Sequence, residues 1–393
     1  MHIIRPGHGL LHERRPCGAP RRACGVEVAG PTGGRNTNMS TQTMPPDVLD
    51  AGLMRKAVDT VLEDFLAGKT EFAGQPITAQ LMGAFAEFMS GGKRIRPLLA
   101  LTGWRAVGGE RGNGSIVRVA ASLEMFHAFA LIHDDIMDDS DTRRGRPTIH
   151  RALSGIHGSD HSGQFGRSSA ILLGDLAFTW ADELLHTAGL TPVQYAALLP
   201  LITEMRTEVM LGQYLDLCAT GELSDDVEAT MTVNRYKTAK YTVERPLHIG
   251  AAMAGAGPEA MAACTAYAVP LGEAFQLRDD LLGVYGDVMD TGKSRLDDLR
   301  AGKNTTLVAL ALRASDAAQA ARLRALIGDP FLEEAGAEEV RAVFAATGAR
   351  EAVERLIDDR YQQALRALDT APFAPEATAT LENLARTATR RTS

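Results

Sequence analysis

The sequence is poor in aromatic residues and, over most of its length, in proline. Aromatic side chains make up only 5% of the 393 residues, whereas hydrophobic residues reach 45%, enough for a sizeable core. Six of the 17 prolines lie in the first 46 residues, so helix breakers are sparse in the rest of the chain. Alternating β-branched stretches, which indicate strands, are nearly absent. These shortages predict an all-α protein.

Cysteine is also scarce, with four residues that lack zinc-ligand spacing. Cys17 and Cys24 lie in the N-terminal segment. Cys218 and Cys264 fall within helical patterns, so we predict core thiols and not a disulfide. This usage indicates a reducing, cytoplasmic environment.

Positive charge is in deficit, and the formal net charge is −8. Residues 1–38 contain six Arg and two Glu, which gives +4, so the remaining residues carry −12. An acidic body argues against nucleic acid as a partner. No apolar run is expected to reach the length of a membrane span, so we predict no integral membrane segment.

The N-terminal segment, residues 1–46, differs from the rest in composition. It is rich in Arg, Gly and Pro and lacks the apolar core of a secretory signal, so we predict disorder. Met39 and Met44 suggest that the true start lies at one of them, and a transit peptide is the alternative. Helical periodicity begins near Asp47 without a later linker, so residues 47–393 are predicted to form one helical domain.

The densest chemical signal is Glu124–Arg146, where an apolar helix ends in a cluster of aspartates. Like charges three or four residues apart on a helix repel, so folding alone does not explain the cluster. Asp134 and Asp138 are one turn apart on a shared face, and such carboxylates suit Mg²⁺. Arg143 and Arg144 follow and can bind phosphate oxygens. The stretch predicts a diphosphate site; the alternative is that the acids cap the helix and the arginines neutralise them.

Two other segments carry clustered charge, one basic and one acidic. Lys93, Arg94 and Arg96 follow a Gly-Gly pair at the start of a helix, which indicates either an anion site or a solvated basic turn. A second apolar helix ends at Asp279 and Asp280 and is also followed by basic residues. Two acid-ended helices can face each other across a cavity and hold several Mg²⁺ ions around one diphosphate.

Two predictions concern the backbone. Residues 154–167, rich in Gly, Ser and His, are predicted to form a loop. Pro246, which follows RYKTAKYTVER, is expected to kink or break its helix and expose backbone carbonyls.

Six motifs occur in an order that resembles the trans-isoprenyl diphosphate synthase (polyprenyl synthetase) family: GGKRIRP, FHAFALIHDDIMD, RRG, GQYLDL, KTAKYT and FQLRDD. The resemblance covers the chain from about residue 50. It implies a bundle of long, mostly antiparallel helices around a deep central pocket, usually as a homodimer. It also implies that isopentenyl diphosphate condenses with an allylic diphosphate (dimethylallyl, geranyl or farnesyl) with the help of Mg²⁺, about three ions per site.

The resemblance assigns roles to single residues. The implied Mg²⁺ ligands are Asp134, Asp138 and Asp279, with Asp135 and Asp280 as further catalytic acids. The implied ligands of the allylic diphosphate are Arg143, Lys237, Lys293 and Lys303. The implied ligands of isopentenyl diphosphate are Lys93, Arg96, His127 and Arg144, although a lone histidine such as His127 is often only a helix residue. The residues implied beside the allylic cation are Gln213, Thr238 and Gln276.

One position departs from the family pattern, and another suggests product length. Gly283 occupies the third acid position of the second motif, and Asp287, four residues later, is the alternative acid. Phe129, with Ala130 beside it and Phe126 one turn earlier, resembles the chain-length residues of geranylgeranyl diphosphate (C20) synthases. An ideal helical wheel puts Phe129 nearly opposite the carboxylates, so the alternative is that it is a core residue.

Other functions remain open at this stage. A farnesyl or longer polyprenyl diphosphate synthase would share these motifs. A class I terpene cyclase would share the first acid cluster but leave Lys93, Arg96 and Arg144 unexplained. A non-catalytic partner subunit of a prenyl synthase would be expected to lose site acids, and only Gly283 points that way.

Overall fold

The computed structural model describes residues 50–73, 76–110, 112–155, 161–286 and 294–390. Within these ranges the chain is almost entirely helical, and its two strands, Thr142–Arg143 and Arg146–Pro147, form one short antiparallel pair. The prediction of an all-α fold is therefore confirmed. The boundary at residue 46 stays a prediction, because the proposed N-terminal extension lies outside the described residues.

The helices are numbered in chain order. The first half contains α1 Ala51–Ala73, α2 Pro76–Met89, α3 Ile95–Ala106, α4 Gly114–Met137, α5 Ile149–Ser154, α6 Ser162–His186, α7 Pro192–Ala219 and α8 Val227–Asn234. The second half contains a π-helix Arg235–Glu244, then α9 Arg245–Met253, α10 Pro258–Tyr285, α11 Asp297–Arg300, α12 Thr306–Ala314, α13 Ala317–Leu326, α14 Glu334–Ala346, α15 Ala349–Asp369 and α16 Pro375–Arg390.

Helix α4 lies at the centre of the N-terminal core. Asn113 caps its start by accepting a hydrogen bond from the backbone N–H of Ser115, and α4 then packs against α6, α3 and α1. By length and composition it is apolar enough to cross a membrane, which corrects the expectation that no run has this length. Yet 67% of its most apolar stretch is buried inside the structure, and such burial is typical of a core helix.

The chain does not break at Pro246, so the predicted break and its exposed carbonyls are not found, whereas the alternative, a kink, stays a prediction. Arg235–Glu244 forms a π-helix, and Pro246 lies in the first turn of α9, which follows the π-helix without a gap. The wider π-helical turn keeps the backbone helical through this region.

Two glycines let the π-helix lie directly against its neighbours. A β-carbon at Gly212 of α7 would overlap the backbone of Lys237, and one at Gly272 of α10 would overlap Ala239. The π-helix is therefore held between α7 and α10 at backbone contact. This contact fixes the positions of Lys237 and of Thr238 beside it.

Two smaller predictions also need correction. The predicted loop 154–167 is shorter, because α6 begins at Ser162; residues 156–160 lie outside the described residues. Cys264 is buried as predicted, but Cys218 is exposed. The periodic pattern did not show that this face of α7 is left uncovered.

Candidate active site

The first acidic cluster forms the C-terminal end of α4. Asp134 and Asp135 lie in its last turn, and Asp138 is the residue that ends the helix. Asp139 then adopts a left-handed conformation with φ 50°, which turns the chain away. The side chains of Asp134 and Asp138 remain one helical turn apart.

Two lysines from distant elements reach this cluster. Lys237 Nζ of the π-helix lies 3.1 Å from Asp134 Oδ1 and 2.6 Å from Asp216 Oδ2 of α7. Lys303 Nζ lies 2.8 Å from Asp138 Oδ2. The structure therefore brings four of the sequence-predicted residues together and adds Asp216 to them.

The charges of these groups stabilise one another. Burial alone would raise the pKa of Asp134, but Lys237, Lys303 and Arg143 lower it well below its ordinary value. Burial alone would lower the pKa of Lys303, but Asp298, Asp138 and other nearby carboxylates raise it. Asp134 is therefore ionised and Lys303 protonated at neutral pH.

Arg143 is held by the buried carboxylate of Asp135. Its Nε donates to both Asp135 oxygens at 2.8 Å, and its Nη2 donates to Oδ1 at 2.6 Å. Arg143 ends the first strand of a hairpin whose two turn residues, Arg144 and Gly145, have φ of 55° and 72°. Positive φ at both positions matches the type I′ turn that two-residue hairpins favour. Asp135 thus fixes the hairpin next to the acid cluster.

The second acidic cluster lies at the end of α10. Gln276 links it to the π-helix, because Thr238 Oγ1 donates to Gln276 Oε1 at 2.7 Å and Gln276 Nε2 donates to Asp280 Oδ1 at 2.7 Å. Burial, together with Asp298 and Asp279, raises the pKa of Asp280 to about 7. This end of α10 therefore has excess negative charge.

Position 283 is filled from another helix. A β-carbon on Gly283 would overlap Oδ2 of Asp298, which belongs to the short helix α11. A carboxylate therefore occupies the space beside residue 283 although the residue itself has no side chain. Asp287 lies outside the described residues, and so does Lys293.

A third group of predicted residues surrounds Tyr241 of the π-helix. The Arg96 guanidinium lies 4.2 Å from the ring centre of Tyr241 and donates to Thr242 Oγ1 at 2.6 Å. His127 Nδ1 lies 3.2 Å from the Tyr241 hydroxyl. Burial and the charges of Arg96 and Arg144 lower the pKa of His127 well below its ordinary value. His127 is therefore neutral at physiological pH and can act as a hydrogen-bond donor or acceptor.

Arg94 does not belong to the predicted anion site. It is only 4% exposed and donates to Asp59 at 2.7 Å, to Glu124 at 2.9 Å and to the backbone carbonyl of Met89 at 2.6 Å. Its φ of 48° turns the side chain inward, away from its basic neighbours. The inclusion of Arg94 among the three cations of the anion site was wrong, because Arg94 is a structural ion-pair residue.

The remaining basic residues lie near this turn. Lys93 is exposed, and the Arg144 guanidinium lies against Gly92, where a β-carbon would come within 3.1 Å of Nη1. Burial and nearby arginines lower the pKa of Arg144 below its ordinary value. Such a concentration of like charge favours a bound anion. Gln213 Nε2 lies 3.9 Å from the sulfur of Met137.

The predicted chain-length residues form an aromatic cluster with a ring that sequence reasoning missed. The ring centre of Phe129 lies 5.2 Å from that of Phe126 and 5.2 Å from that of Phe178 on α6. Phe129, Ala130 and Phe178 are partly buried and pack against the core. Phe129 is therefore neither exposed nor fully buried.

Three further site residues were not predicted: Asp216, Tyr241 and Asp298. The sequence signal for Asp216 was its position three residues after Gln213 on one helix face. Tyr241 follows Thr238 by three residues, and Asp298 precedes Lys303 by five. Only the folded arrangement shows that these residues meet the others.

The acids of the first cluster hold ammonium groups in this structure. In the part of the chain that the structure describes, no group of three or more His, Cys, Asp or Glu side chains converges as a metal site. Asp134 and Asp138 instead each contact a lysine. Aspartate oxygens are ligands that Mg²⁺ prefers, and the charge that Lys237 and Lys303 neutralise is available to a divalent cation. The donor set therefore fits Mg²⁺.

The combination of two acidic helix ends and a basic cluster around one helix agrees with the comparison to known proteins. The model of the polyprenyl synthetase family matches residues 78–345. The chain belongs to the polyprenyl synthetase family. It is thus a prenyltransferase of the trans-prenyl diphosphate synthase type, and the resemblance stated from the motifs is confirmed.

Relatives and a solved structure support this membership. A geranylgeranyl pyrophosphate synthase structure from Corynebacterium glutamicum, complexed with isoprenyl diphosphate and magnesium, is 39% identical, with a TM-score of 0.81 over 87% of this chain and 98% of that one. A geranylfarnesyl diphosphate synthase from Aeropyrum pernix is 37% identical over 57% of this chain and 67% of the relative. An octaprenyl diphosphate synthase from Escherichia coli is 32% identical over 72% and 82%. These relatives differ in the length of the product that their names give.

Proposed function

We propose that this polyprenyl synthetase condenses isopentenyl diphosphate with an allylic diphosphate in a Mg²⁺-dependent reaction. The observation that carries the proposal is the position of two consecutive π-helix residues. Lys237 contacts Asp134 at the end of α4, and Thr238 contacts Gln276, which in turn donates to Asp280 at the end of α10. The two acidic helix ends therefore lie on either side of one short segment, as a shared diphosphate would require.

The allylic diphosphate is proposed to bind at the acidic helix ends. Bound Mg²⁺, held by Asp134, Asp138 and Asp279, would supply Lewis-acid stabilisation of the leaving diphosphate. Lys237 and Lys303 would transfer their hydrogen bonds from carboxylate to diphosphate oxygens, where preorganised positive charge favours departure of the leaving group. Arg143 and Lys293 are proposed to complete this set.

The second diphosphate, that of isopentenyl diphosphate, is proposed to bind Lys93, Arg96, His127 and Arg144. Arg96 and His127 are brought to one place by Tyr241, and neutral His127 can donate a hydrogen bond without adding charge. Gln213, Thr238 and Gln276 are proposed to lie beside the allylic cation. The released diphosphate is proposed to accept the proton.

We propose geranylgeranyl diphosphate as the main product. The cluster of Phe126 and Phe129 lies eight and five residues before Asp134, which is about 12 Å and 7.5 Å along α4. A growing tail directed away from the acids would meet these rings. Farnesyl or longer polyprenyl diphosphate is the second candidate, because the relatives span several product lengths.

A homodimer in the cytoplasm is proposed as the working form. Several large apolar side chains are exposed on α6 and α7, and a second copy of the chain would cover them: Ile171, Leu172, Leu176, Met210, Leu211 and Tyr214. Size-exclusion chromatography with light scattering tests this. A monomer at micromolar concentration would contradict it.

The function is tested by incubating the purified protein with Mg²⁺, isopentenyl diphosphate and each allylic diphosphate in turn. Elongated diphosphates support the proposal, and their length gives the product. A hydrocarbon would indicate a terpene cyclase, and absence of turnover would indicate a non-catalytic subunit. Phe129→Ala should lengthen the products; an unchanged product distribution would contradict the role of Phe129.

A further inference from the structure

The aromatic cluster is backed by a charged residue that the prenyl-transfer chemistry does not use. Arg206 of α7 places its guanidinium carbon 4.7 Å from the ring centre of Phe178 and 5.3 Å from that of Phe126. The side chain is 18% exposed, and its buried Nε has no hydrogen-bond partner in the described part of the chain. The guanidinium therefore contacts two of the three rings.

Asp182 fixes this guanidinium. Arg206 Nη2 donates to Asp182 Oδ1 at 2.6 Å, and Asp182 lies one helical turn after Phe178 on α6. A planar guanidinium held at one end by a carboxylate is a rigid surface for aromatic rings. Asp182 limits the movement of the Arg206 guanidinium, and the guanidinium limits the movement of the Phe126 and Phe178 rings.

The position along the helices separates this cluster from the reacting groups. Arg206 lies ten residues before Asp216 on α7, or about 15 Å. Phe126 lies eight residues before Asp134 on α4, or about 12 Å. Both helices reach the acidic site at their C-terminal ends, so Arg206 lies at the level of the rings and far from the acidic helix ends. The Tyr241 ring, which positions Arg96 and His127, is nearer, with its centre 5.9 Å from that of Phe126.

We propose that Arg206, held by Asp182, is a positioning residue that sets product length by bracing the rings of Phe126 and Phe178 and, through them, Phe129. The inference rests on the proposed prenyl transfer. Removal of the guanidinium leaves space behind Phe178 into which the rings tilt. The pocket for the prenyl tail then becomes deeper without any change at the acidic helix ends.

The test compares Arg206→Ala, Arg206→Lys and Asp182→Asn with the wild type. We expect Arg206→Ala to raise the ratio of longer to shorter products about tenfold, which corresponds to about 1.4 kcal/mol between the competing elongation and release steps. Arg206→Lys keeps the ion pair and should shift the ratio less, and Asp182→Asn should shift it in the same direction. The Mg²⁺ concentration that gives half-maximal activity should not change, because the acidic helix ends lie about 12–15 Å along the helices from the rings and Arg206.

Two controls separate a positioning role from a structural one. Arg322→Ala removes an exposed ion pair with Glu339 and should leave product length unchanged. Phe129→Ala is the positive control, because it should change product length if the assay can detect such a change. If the Arg206 variants lose activity and thermal stability but keep the wild-type product ratio while Phe129→Ala changes it, the inference is wrong.

A binding measurement covers the case in which the proposed function itself fails. If the wild type elongates nothing, that proposal falls, and calorimetry with farnesyl and geranylgeranyl diphosphate still tests the pocket. Arg206→Ala should then improve binding of the longer compound relative to the shorter one. An unchanged ratio of the two affinities would overturn the inference.

Discussion

The carboxylate of Asp298 lies over Gly283, in the space that a β-carbon on residue 283 would fill. Asp298 also contributes to the raised pKa values of both Asp280 and Lys303. Gly283 replaces an expected acid, and because it has no side chain it leaves room for the carboxylate of Asp298 from α11. Gly283 is better explained by this packing than by loss of function.

Gly283→Ala tests this relationship. In a helix interior, alanine is more stable than glycine by about 1 kcal/mol. Here the new β-carbon must displace Asp298. Gly283→Ala should therefore raise the free energy of unfolding less in the wild-type background than in an Asp298→Ala background. A double-mutant cycle measured by urea unfolding gives the difference. Equal gains in the two backgrounds would show that the two residues do not interact.

Lys303 neutralises Asp138, one of the proposed Mg²⁺ ligands, by a contact of 2.8 Å. Without Mg²⁺, Lys303→Met should lower the free energy of unfolding by about 3–5 kcal/mol, because it leaves partly buried carboxylates unpaired. Added Mg²⁺ should raise the melting temperature of this variant more than that of the wild type. Differential scanning calorimetry over a Mg²⁺ series measures both effects.

Lys69→Met is the matched control for Lys303→Met. It removes a lysine that is as exposed as Lys303 but whose partner at 2.6 Å, Glu183, is 42% exposed and stays solvated when the lysine is lost. Its effect on stability should be below about 1 kcal/mol and should not depend on Mg²⁺. If Mg²⁺ stabilises Lys303→Met no more than Lys69→Met, the carboxylates near Lys303 do not bind the ion.

The sequence predicted residues whose role follows from local spacing, and it failed where the role depends on folding. The sequence placed Asp134 and Asp138 together because their spacing of four residues is about one helical turn. Arg94 could not be distinguished from Arg96, because its inward direction results from a left-handed backbone and from Asp59 and Glu124, which the sequence does not place nearby.

The predicted break at Pro246 did not occur, for a similar reason. Proline ends an isolated α-helix, but Pro246 follows a π-helix that α7 and α10 hold at glycine contacts, so tertiary packing decided the outcome. Asp298 was missed because its partner, Gly283, has no side chain to signal a contact. Absence of a side chain is visible in sequence, but what fills the space is not.

His127 should make stability depend on pH. Burial and the charges of Arg96 and Arg144 lower its pKa in the folded state below the ordinary value of about 6.5. Below that pH the unfolded chain binds a proton that the folded chain does not. The free energy of unfolding is therefore highest above about pH 6.5 and decreases as the pH falls. Relative to His127→Gln, the wild type should lose at most about 1.4 kcal/mol per pH unit.

Urea unfolding of both proteins between about pH 8 and pH 5 measures this difference. Tyr241→Phe is the control, because it removes the hydroxyl next to His127 but keeps the titrating ring. It should show the same pH slope as the wild type. Parallel curves for the wild type and His127→Gln would mean that His127 titrates normally.

Adjacent residues Lys93 and Arg94 should respond to substitution in opposite ways. Arg94→Met leaves Glu124 and Asp59 without their cation and should lower the free energy of unfolding by about 3–5 kcal/mol. Lys93→Ala alters an exposed side chain and should change stability by less than about 0.5 kcal/mol, while raising KM for isopentenyl diphosphate. Chemical unfolding and steady-state kinetics separate the two effects.

A second substitution distinguishes a lost ion pair from lost packing. Glu124→Gln added to Arg94→Met removes the buried charge that the single variant leaves unpaired, so the double variant should be more stable than Arg94→Met alone. Packing is equally disturbed in both, because Arg94 is absent from each. If the second substitution lowers stability further, Arg94 acts by filling space, and the charge of Glu124 is neutralised by another group.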